Sequence, residues 1–215
     1  MINCEGITVN YNIEVIKKND FKTSEWSGGT TTQLMIYPKD SLYSERNFKW
    51  RLSSAKVEVE ESIFTNLPGI WRLIMVIEGE LHLEHKGHHK AYLKPFQQDS
   101  FSGEYETRSF GKVTDFNLMM GNGCKGALEH LSLNRGESKN ISFICDIGED
   151  LTEITEVFYC VEGEIEILTE NNEKINLFKG DLISVTRGEK ENPLTFKFTN
   201  NKQAQVKIIK AVVYY

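Results

Sequence analysis

Residues 48–80 read FKWRLSSAKVEVEESIFTNLPGIWRLIMVIEGE, and this stretch decides the fold. Successive strand side chains point to opposite sides, so Arg51, Ser53, Ala55, Val57 and Val59 share one face of the first strand. With Val57 and Val59 facing the interior, Arg51 and Ser53 face it too. An inward arginine is costly unless it has a partner. LPGI at 67–70 is a turn. WRLIMVI at 71–77 then forms a strand apolar on both faces, as a sandwich or barrel interior requires. Glu78-Gly79 starts a hairpin.

The end of this stretch is repeated. VIEGELHLEHKGHHKAYL at 76–93 aligns with CVEGEIEILTENNEKINL at 160–177, a shift of 84 residues without a gap. Gly79 falls on Gly163, Leu81 on Ile165, Leu83 on Ile167 and Leu93 on Leu177. Two residues of slippage bring Gln98-Asp99 opposite Gly180-Asp181. A glycine ending one strand, a hairpin, and a turn into the next strand outline half a jelly roll. Outward from the repeat, EWSGGTTTQLMIYP, TDFNLMM, LEHLSL, NISFICDI, DLISV, LTFKF and AQVKIIKAVVYY all carry strand patterns, and long amphipathic helices are absent. GNGCKG at 121–126 is the linker between the halves. The expected organisation is therefore two consecutive β-barrel modules, residues 1–122 and 123–215, between which strands can be exchanged.

The second module resembles a cupin. In that pattern, G-x5-H-x-H-x3–4-E-x6-G followed by a second glycine motif, Glu156 and Gly163 fit the E-x6-G portion and Gly180 fits the later glycine. The metal ligands fail. Their histidine positions carry Asp150, Thr152 and Ile183 in the second module, and the first module offers Asn66, Pro68, Arg72 and Phe101. A transition metal needs several converging imidazole or carboxylate ligands. Neither barrel is expected to hold the usual cupin metal, and no cofactor is expected.

The first half also resembles the HutD/Ves family of bicupins. The pieces that carry the resemblance are WSGGTTTQL from Trp26, FKWRLSSAKV from Phe48, IFTNLPGIWR from Ile63, the turn at Gly79, and DFNLM from Asp115. They run in the family's order over roughly residues 20 to 120. Gln33 stands where an acidic residue is expected. The resemblance implies an all-β bicupin of two cupin-type jelly-roll modules. It also implies a regulatory or accessory association with histidine utilisation, and a small carboxylate or pathway metabolite as ligand.

Composition narrows the partners. The 215 residues are 40% hydrophobic and 11% aromatic, enough for a filled core. The net charge of −6 is spread along the chain with no Lys/Arg block, so neither nucleic acid nor an anionic membrane is an expected partner. No apolar run approaches the ~20 residues of a membrane span, and the N-terminus lacks a signal-peptide pattern. A cytoplasmic location follows as the expectation. Cys4, Cys124, Cys145 and Cys160 are scattered without a CxxC pair and are expected reduced, Cys145 and Cys160 as small core residues.

Arg51 and Arg72 are the leading ligand-binding residues, because a guanidinium fork matches a carboxylate. Trp26 and Trp50 are expected to wall the pocket, with Ser53 and Thr32 supplying hydroxyls. Asp115 and Asn117 share a strand face and either orient a ligand or hold an arginine. No catalytic residue is assigned: GxSxG and a phosphate loop are both absent. HLEHKGHH sets His82, His85, His88 and His89 about a hairpin tip. Solvated loop histidines are the commoner outcome of such a pattern, a surface metal site the alternative, and no metal is assigned. The leading expectation is a metal-free module that binds a small organic acid. The alternatives are a metal-free isomerase or hydrolase using Asp115 or Glu156, and a scaffold whose open sheet edges give a homodimer.

Overall fold

The computed structural model describes residues 11–143, 151–188 and 194–215. Strands dominate, and the described residues contain no α-helix, only 3-10 turns at Lys18–Asp20 and Tyr43–Glu45. The first strands are β1 (Tyr11–Ile16), β2 (Lys22–Trp26), β3 (Gly29–Tyr37), β4 (Trp50–Val57), β5 (Glu61–Ile63) and β6 (Trp71–Glu78). They continue as β7 (Leu81–His85), β8 (Lys90–Leu93), β9 (Gln98–Ser102), β10 (Thr107–Phe110) and β11 (Val113–Met120). After the turn at Gly121–Cys124 come β12 (Lys125–Leu133), β13 (Ser138–Phe143), β14 (Glu153–Glu162) and β15 (Glu164–Leu168). The last four are β16 (Lys174–Phe178), β17 (Leu182–Gly188), β18 (Leu194–Thr199) and β19 (Val206–Tyr214). Asp150, Cys4 and Cys145 lie outside the described residues.

The topology repeats. One sheet runs β2-β3-β4-β11-β6-β9 and is accompanied by β5-β10-β7-β8. In the second half the sheets are β1-β17-β14-β19-β12 and β13-β18-β15-β16. Adding eight to each label converts β4-β11-β6-β9 into β12-β19-β14-β17, and β5-β10-β7-β8 into β13-β18-β15-β16. Each half is thus an eight-stranded, two-sheet jelly roll, the cupin architecture. Beyond this shared unit, the β2–β3 hairpin extends the first module past β4. Strand β1, from the N-terminal side, pairs antiparallel with β17 and extends the second.

The repeat's residues occupy equivalent places. Gly79 and Gly163 both adopt positive φ, 87° and 89°, at the turn into β7 and β15. Leu81, Leu83 and Leu93, like Ile165, Ile167 and Leu177, are all buried. What differs is the filling. The second interior is closed by aromatic packing, with Phe143 against Phe196 at 4.8 Å and Phe158 against Phe198 at 4.9 Å between ring centroids. Cys160 sits there as a buried free thiol, its pKa pushed by burial to about 12. In the first interior, Ile74, Val76, Leu83 and Phe101 form an apolar cluster that leaves part of the barrel to polar groups.

A further core joins the modules. Strand alternation sends Trp50 and Leu52 of β4, and Phe116, Leu118 and Met120 of β11, away from the first interior. There they meet Leu128, Val157, Ile209, Ala211, Val213 and Tyr215 of the second module. Phe116 lies 5.7 Å from Tyr159, and Trp50 the same distance from Tyr215. The Tyr37 hydroxyl crosses the boundary to donate to Glu153 Oε2 at 3.2 Å. The central sheet of the first module is therefore buried on both faces, which explains the continuous apolar reading of WRLIMVI.

The turn glycines give a test of this frame. A Cβ at Gly79 would meet the Lys112 carbonyl oxygen at 2.5 Å, whereas one at Gly163 would meet the Val206 Cγ2 methyl at 2.9 Å. Backbone yields less than a methyl group, and both positions add the left-handed cost of a Cβ, about 1–2 kcal/mol. Urea denaturation of Gly79→Ala and Gly163→Ala should show both destabilised, Gly79→Ala the more. Equal or negligible losses would contradict the turn geometry.

Candidate functional site

Three adjacent strands build the floor of a cavity in the first module. β4, β11 and β6 are in register, so that Arg51, Met119 and Arg72 form one lateral row. Ser53, Asn117 and Ile74 form the next, and Ala55, Asp115 and Val76 the third. Two inter-strand steps separate the arginine backbones, about 10 Å. Both side chains line a single cavity of about 300 Å³ together with Trp26, Ser53, Asp115 and Asn117. Six of the eight residues singled out in the sequence are thereby brought together.

Arg51 and Arg72 are buried cations that have no ion-pair partner among the described residues. Arg51 donates from Nε to Gln33 Oε1 at 2.9 Å and from Nη1 to Ser53 Oγ at 3.1 Å. The Tyr43 ring covers its guanidinium, 4.3 Å from centroid to Cζ. Arg72 donates from Nη2 to the Thr65 carbonyl at 3.1 Å, and its guanidinium sits 5.2 Å from the Phe64 ring. Its Nε has no partner among the described residues. Neither arginine forms an ion pair there. Burial lowers the pKa of both; for Arg72, Tyr43 and Asp115 oppose that and the nearby Arg51 charge adds a smaller lowering.

Among the described residues, the acid on the floor is Asp115. Burial pushes its pKa from 3.8 to about 7, against the smaller lowering effects of the Ala55 backbone and the Arg72 charge. Its Oδ1 and the Oδ1 of Asn117 are both buried without hydrogen bonds among the described residues. The cavity thus holds two fixed positive charges, a carboxyl poised between its two forms, and unmet polar atoms. Guanidinium donors of this kind are complementary in charge and geometry to the acceptor oxygens of an anion.

Trp26 stands at the rim, 39% exposed. Gly28 leaves room for its indole, since a Cβ there would come within 2.1 Å of the ring. Trp50 is placed elsewhere: it is buried on the opposite face of β4, stacked 5.9 Å from Tyr37, and walls the inter-module core. Its position beside Arg51 dictates that by alternation alone. Thr32 also turns away, sharing a 2.8 Å hydrogen bond with Thr23 Oγ1, and Thr31 faces the cavity instead. A register shift between Gln33 and Met35 intervenes in the pairing of β3 with β4, and a single strand's alternation does not reveal it. Gln33 meets Arg51 with an amide where an acid would have neutralised it. Tyr43 and Phe64 were missed because they arrive from connecting segments, where no periodicity points.

The positions of the usual cupin metal do not suit a cation. In the first module they bear the Asn66 amide, a proline, the Arg72 guanidinium, and the Phe101 ring, whose centroid lies 6.0 Å from Arg72 Cζ. In the second, Glu156 already meets Lys210 Nζ at 2.6 Å and Arg187 Nη2 at 3.8 Å, beside the apolar Ile183. Among the described residues, then, a guanidinium, apolar groups and an already paired carboxylate stand where a metal requires several converging donor lone pairs.

Comparison with known proteins places the chain. The HutD family model matches residues 18–206. Protein Ves of Escherichia fergusonii is 33% identical over 103 residues, covering 45% of this chain and 51% of Ves, so the match spans about half the length of that relative. Among solved structures, PA5104 of Pseudomonas aeruginosa PAO1, a conserved protein of unknown function, has a TM-score of 0.76 at 20% identity, covering 94% of this chain and 98% of its own. HutD from Pseudomonas fluorescens SBW25 has a TM-score of 0.65 at 22% identity, with 93% and 98% covered. The bacterial pirin YhhW of Escherichia coli shares the fold at 9% identity and a TM-score of 0.65, with 93% and 97% covered. The motifs of the first half, the paired jelly rolls and the match over nearly the whole chain agree, and the protein belongs to the HutD family.

Proposed function

We propose that this chain is a HutD-like cupin that binds a small organic acid in the cavity of its first module. Its role is regulatory or accessory, in a cytoplasmic catabolic setting such as histidine utilisation. The observation that carries the reading is the pair of buried arginines facing one cavity, neither of them ion-paired among the described residues. A buried charge is tolerated when hydrogen-bonded and paired. Here Gln33, Ser53 and Thr65 satisfy some of the donors, and a ligand carboxylate would supply the missing counter-charge. About 300 Å³ lies at the lower end of small-molecule sites and favours a compact acid. Membership of the HutD family, together with the solved HutD of Pseudomonas fluorescens obtained in a formate condition, supports the same class of ligand.

Thermal-shift and calorimetric titration with formate, urocanate, formylated amino acids and histidine tests this. Arg51→Gln and Arg72→Gln should each weaken the bound acid about 10- to 100-fold, as expected for losing charge-assisted hydrogen bonds. An acid that binds both variants as tightly as the parent would rule out the site.

Asp115 sets the pH dependence. Protonated, it donates to a bound carboxylate; ionised, it repels one. Affinity should therefore fall as pH rises through about 7, and Asp115→Asn should flatten the profile. The same residue affects stability without ligand. Because its folded pKa lies above its unfolded value, the unfolded chain gives up the proton first. Its contribution is fully present below about pH 4 and lost as pH rises to about 7. At about 1.4 kcal/mol per pKa unit, Asp115→Asn should stabilise the free protein above pH 7 by at most about 4 kcal/mol. A denaturation series from pH 4 to 8 in which parent and variant run parallel would contradict that.

The raised pKa also favours a second reading, an enzyme using Asp115 as general acid or base near neutrality. Turnover of a bound acid, abolished in Asp115→Asn while binding persists, would establish it.

A further inference from the structure

The hairpin histidines are not simply solvated. His85, the last residue of β7, has a fully buried side chain, and His89 enters from beyond the Lys86-Gly87 turn. Both reach Asp99 of β9. His85 Nε2 lies 2.9 Å from Asp99 Oδ2, and His89 Nε2 lies 3.0 and 3.1 Å from the two carboxylate oxygens. One donor atom from each residue falls within 4.8 Å of the others.

Thr107 is fully buried, and its hydroxyl lies 2.8 Å from His85 Nδ1 and 3.2 Å from the Tyr105 carbonyl oxygen. The threonine thus engages Nδ1, and Nε2 is the ring atom that faces the Asp99 carboxylate. When the hydroxyl gives its single proton to Tyr105 it accepts from Nδ1–H, which leaves Nε2 with the lone pair a metal needs. An imidazole whose second nitrogen is held by a buried partner is the usual arrangement behind a metal ligand.

We propose that His85 Nε2, His89 Nε2 and the Asp99 carboxylate form a binding site for a divalent transition-metal ion of the zinc class, with solvent completing the shell. Two imidazoles and a carboxylate match zinc, cobalt or nickel rather than calcium or magnesium. In a tetrahedral shell with bonds of about 2.0–2.2 Å, neighbouring ligand atoms lie about 3.3–3.6 Å apart, so a few tenths of an ångström of opening suffices. The neighbouring cations do not oppose the ion: Lys86 pairs with Glu106, Lys90 with Glu84 and Arg108 with Glu61. The site is separate from the cavity of the arginines, with Phe101 lying between a residue of each, its ring 4.4 Å from that of His85 and 6.0 Å from Arg72 Cζ.

The test is titration of the full, tag-free, chelator-treated chain with Zn²⁺, with Co²⁺ as the spectroscopic probe and Mg²⁺ as control. One equivalent of Zn²⁺ should bind at micromolar concentration or below, and Co²⁺ should give the visible bands of nitrogen and oxygen ligation. His89→Ala and Asp99→Asn, both at solvent-reachable positions, should each weaken Zn²⁺ binding at least about tenfold while the chain stays folded. Absence of Zn²⁺ uptake, or uptake unchanged in both variants, overturns the proposal.

Discussion

The constraint on which the molecule depends is the two-residue period of β4 and β11. Even positions, Trp50 and Leu52 with Phe116, Leu118 and Met120, form one side of the core joining the modules. Odd positions, Arg51 and Ser53 with Asp115, Asn117 and Met119, form the cavity floor. A slip of one residue in either strand would put guanidinium and carboxyl groups into the apolar interface and a tryptophan into the cavity. Because the wrong register is so unfavourable on both faces, the site is positioned by the hydrophobic core behind it. Rigid strands, rather than loops, hold the two arginines.

That rigidity has a cost in electrostatics. Arg51 and Arg72 lie in one lateral row, with Met119 between their backbones and no acid in that row. Among the described residues the acid on the floor, Asp115, sits two rows away, deep enough for burial to prevail over the Arg72 charge. Aromatic faces from Tyr43 and Phe64 relieve part of the strain, since a delocalised guanidinium is weakly hydrated and stacks well. Neutral acceptors relieve more. An internal carboxylate at position 33 would have neutralised Arg51 within the chain. The glutamine there keeps the hydrogen bond without neutralising the charge.

Much of this was legible in the sequence. The 84-residue echo carried the two jelly rolls, because a turn glycine and alternating apolar positions recur wherever the same strands must pack. The inward face of β4 was legible from Val57 backwards, and it brought Arg51 and Ser53 with it. Trp50 was misplaced by attending to its chemistry ahead of its parity, which assigns it to the other face. Thr32 was a different case, since it depended on a register shift between β3 and β4 that no single-strand pattern records. Tyr43, Thr65 and the burial of His85 depend on how connecting segments and a hairpin tip fold back, and local sequence is silent there.

The two modules show how one jelly roll serves different ends. In the second, phenylalanines fill the interior, and Glu156 is engaged by Lys210 and Arg187. In the first, the equivalent space is divided between an apolar cluster and a polar cavity, while its hairpin tip gathers imidazoles that the second lacks. The second tip carries Thr169, Asn171 and Asn172 instead, with Thr169 and Glu173 closing the turn through their own backbone and hydroxyl bonds. Strand β1, joined to the second sheet from the N-terminal side, ties that filled module to the start of the chain. Across the apolar seam, this filled barrel packs against one that keeps two buried arginines and a hollow.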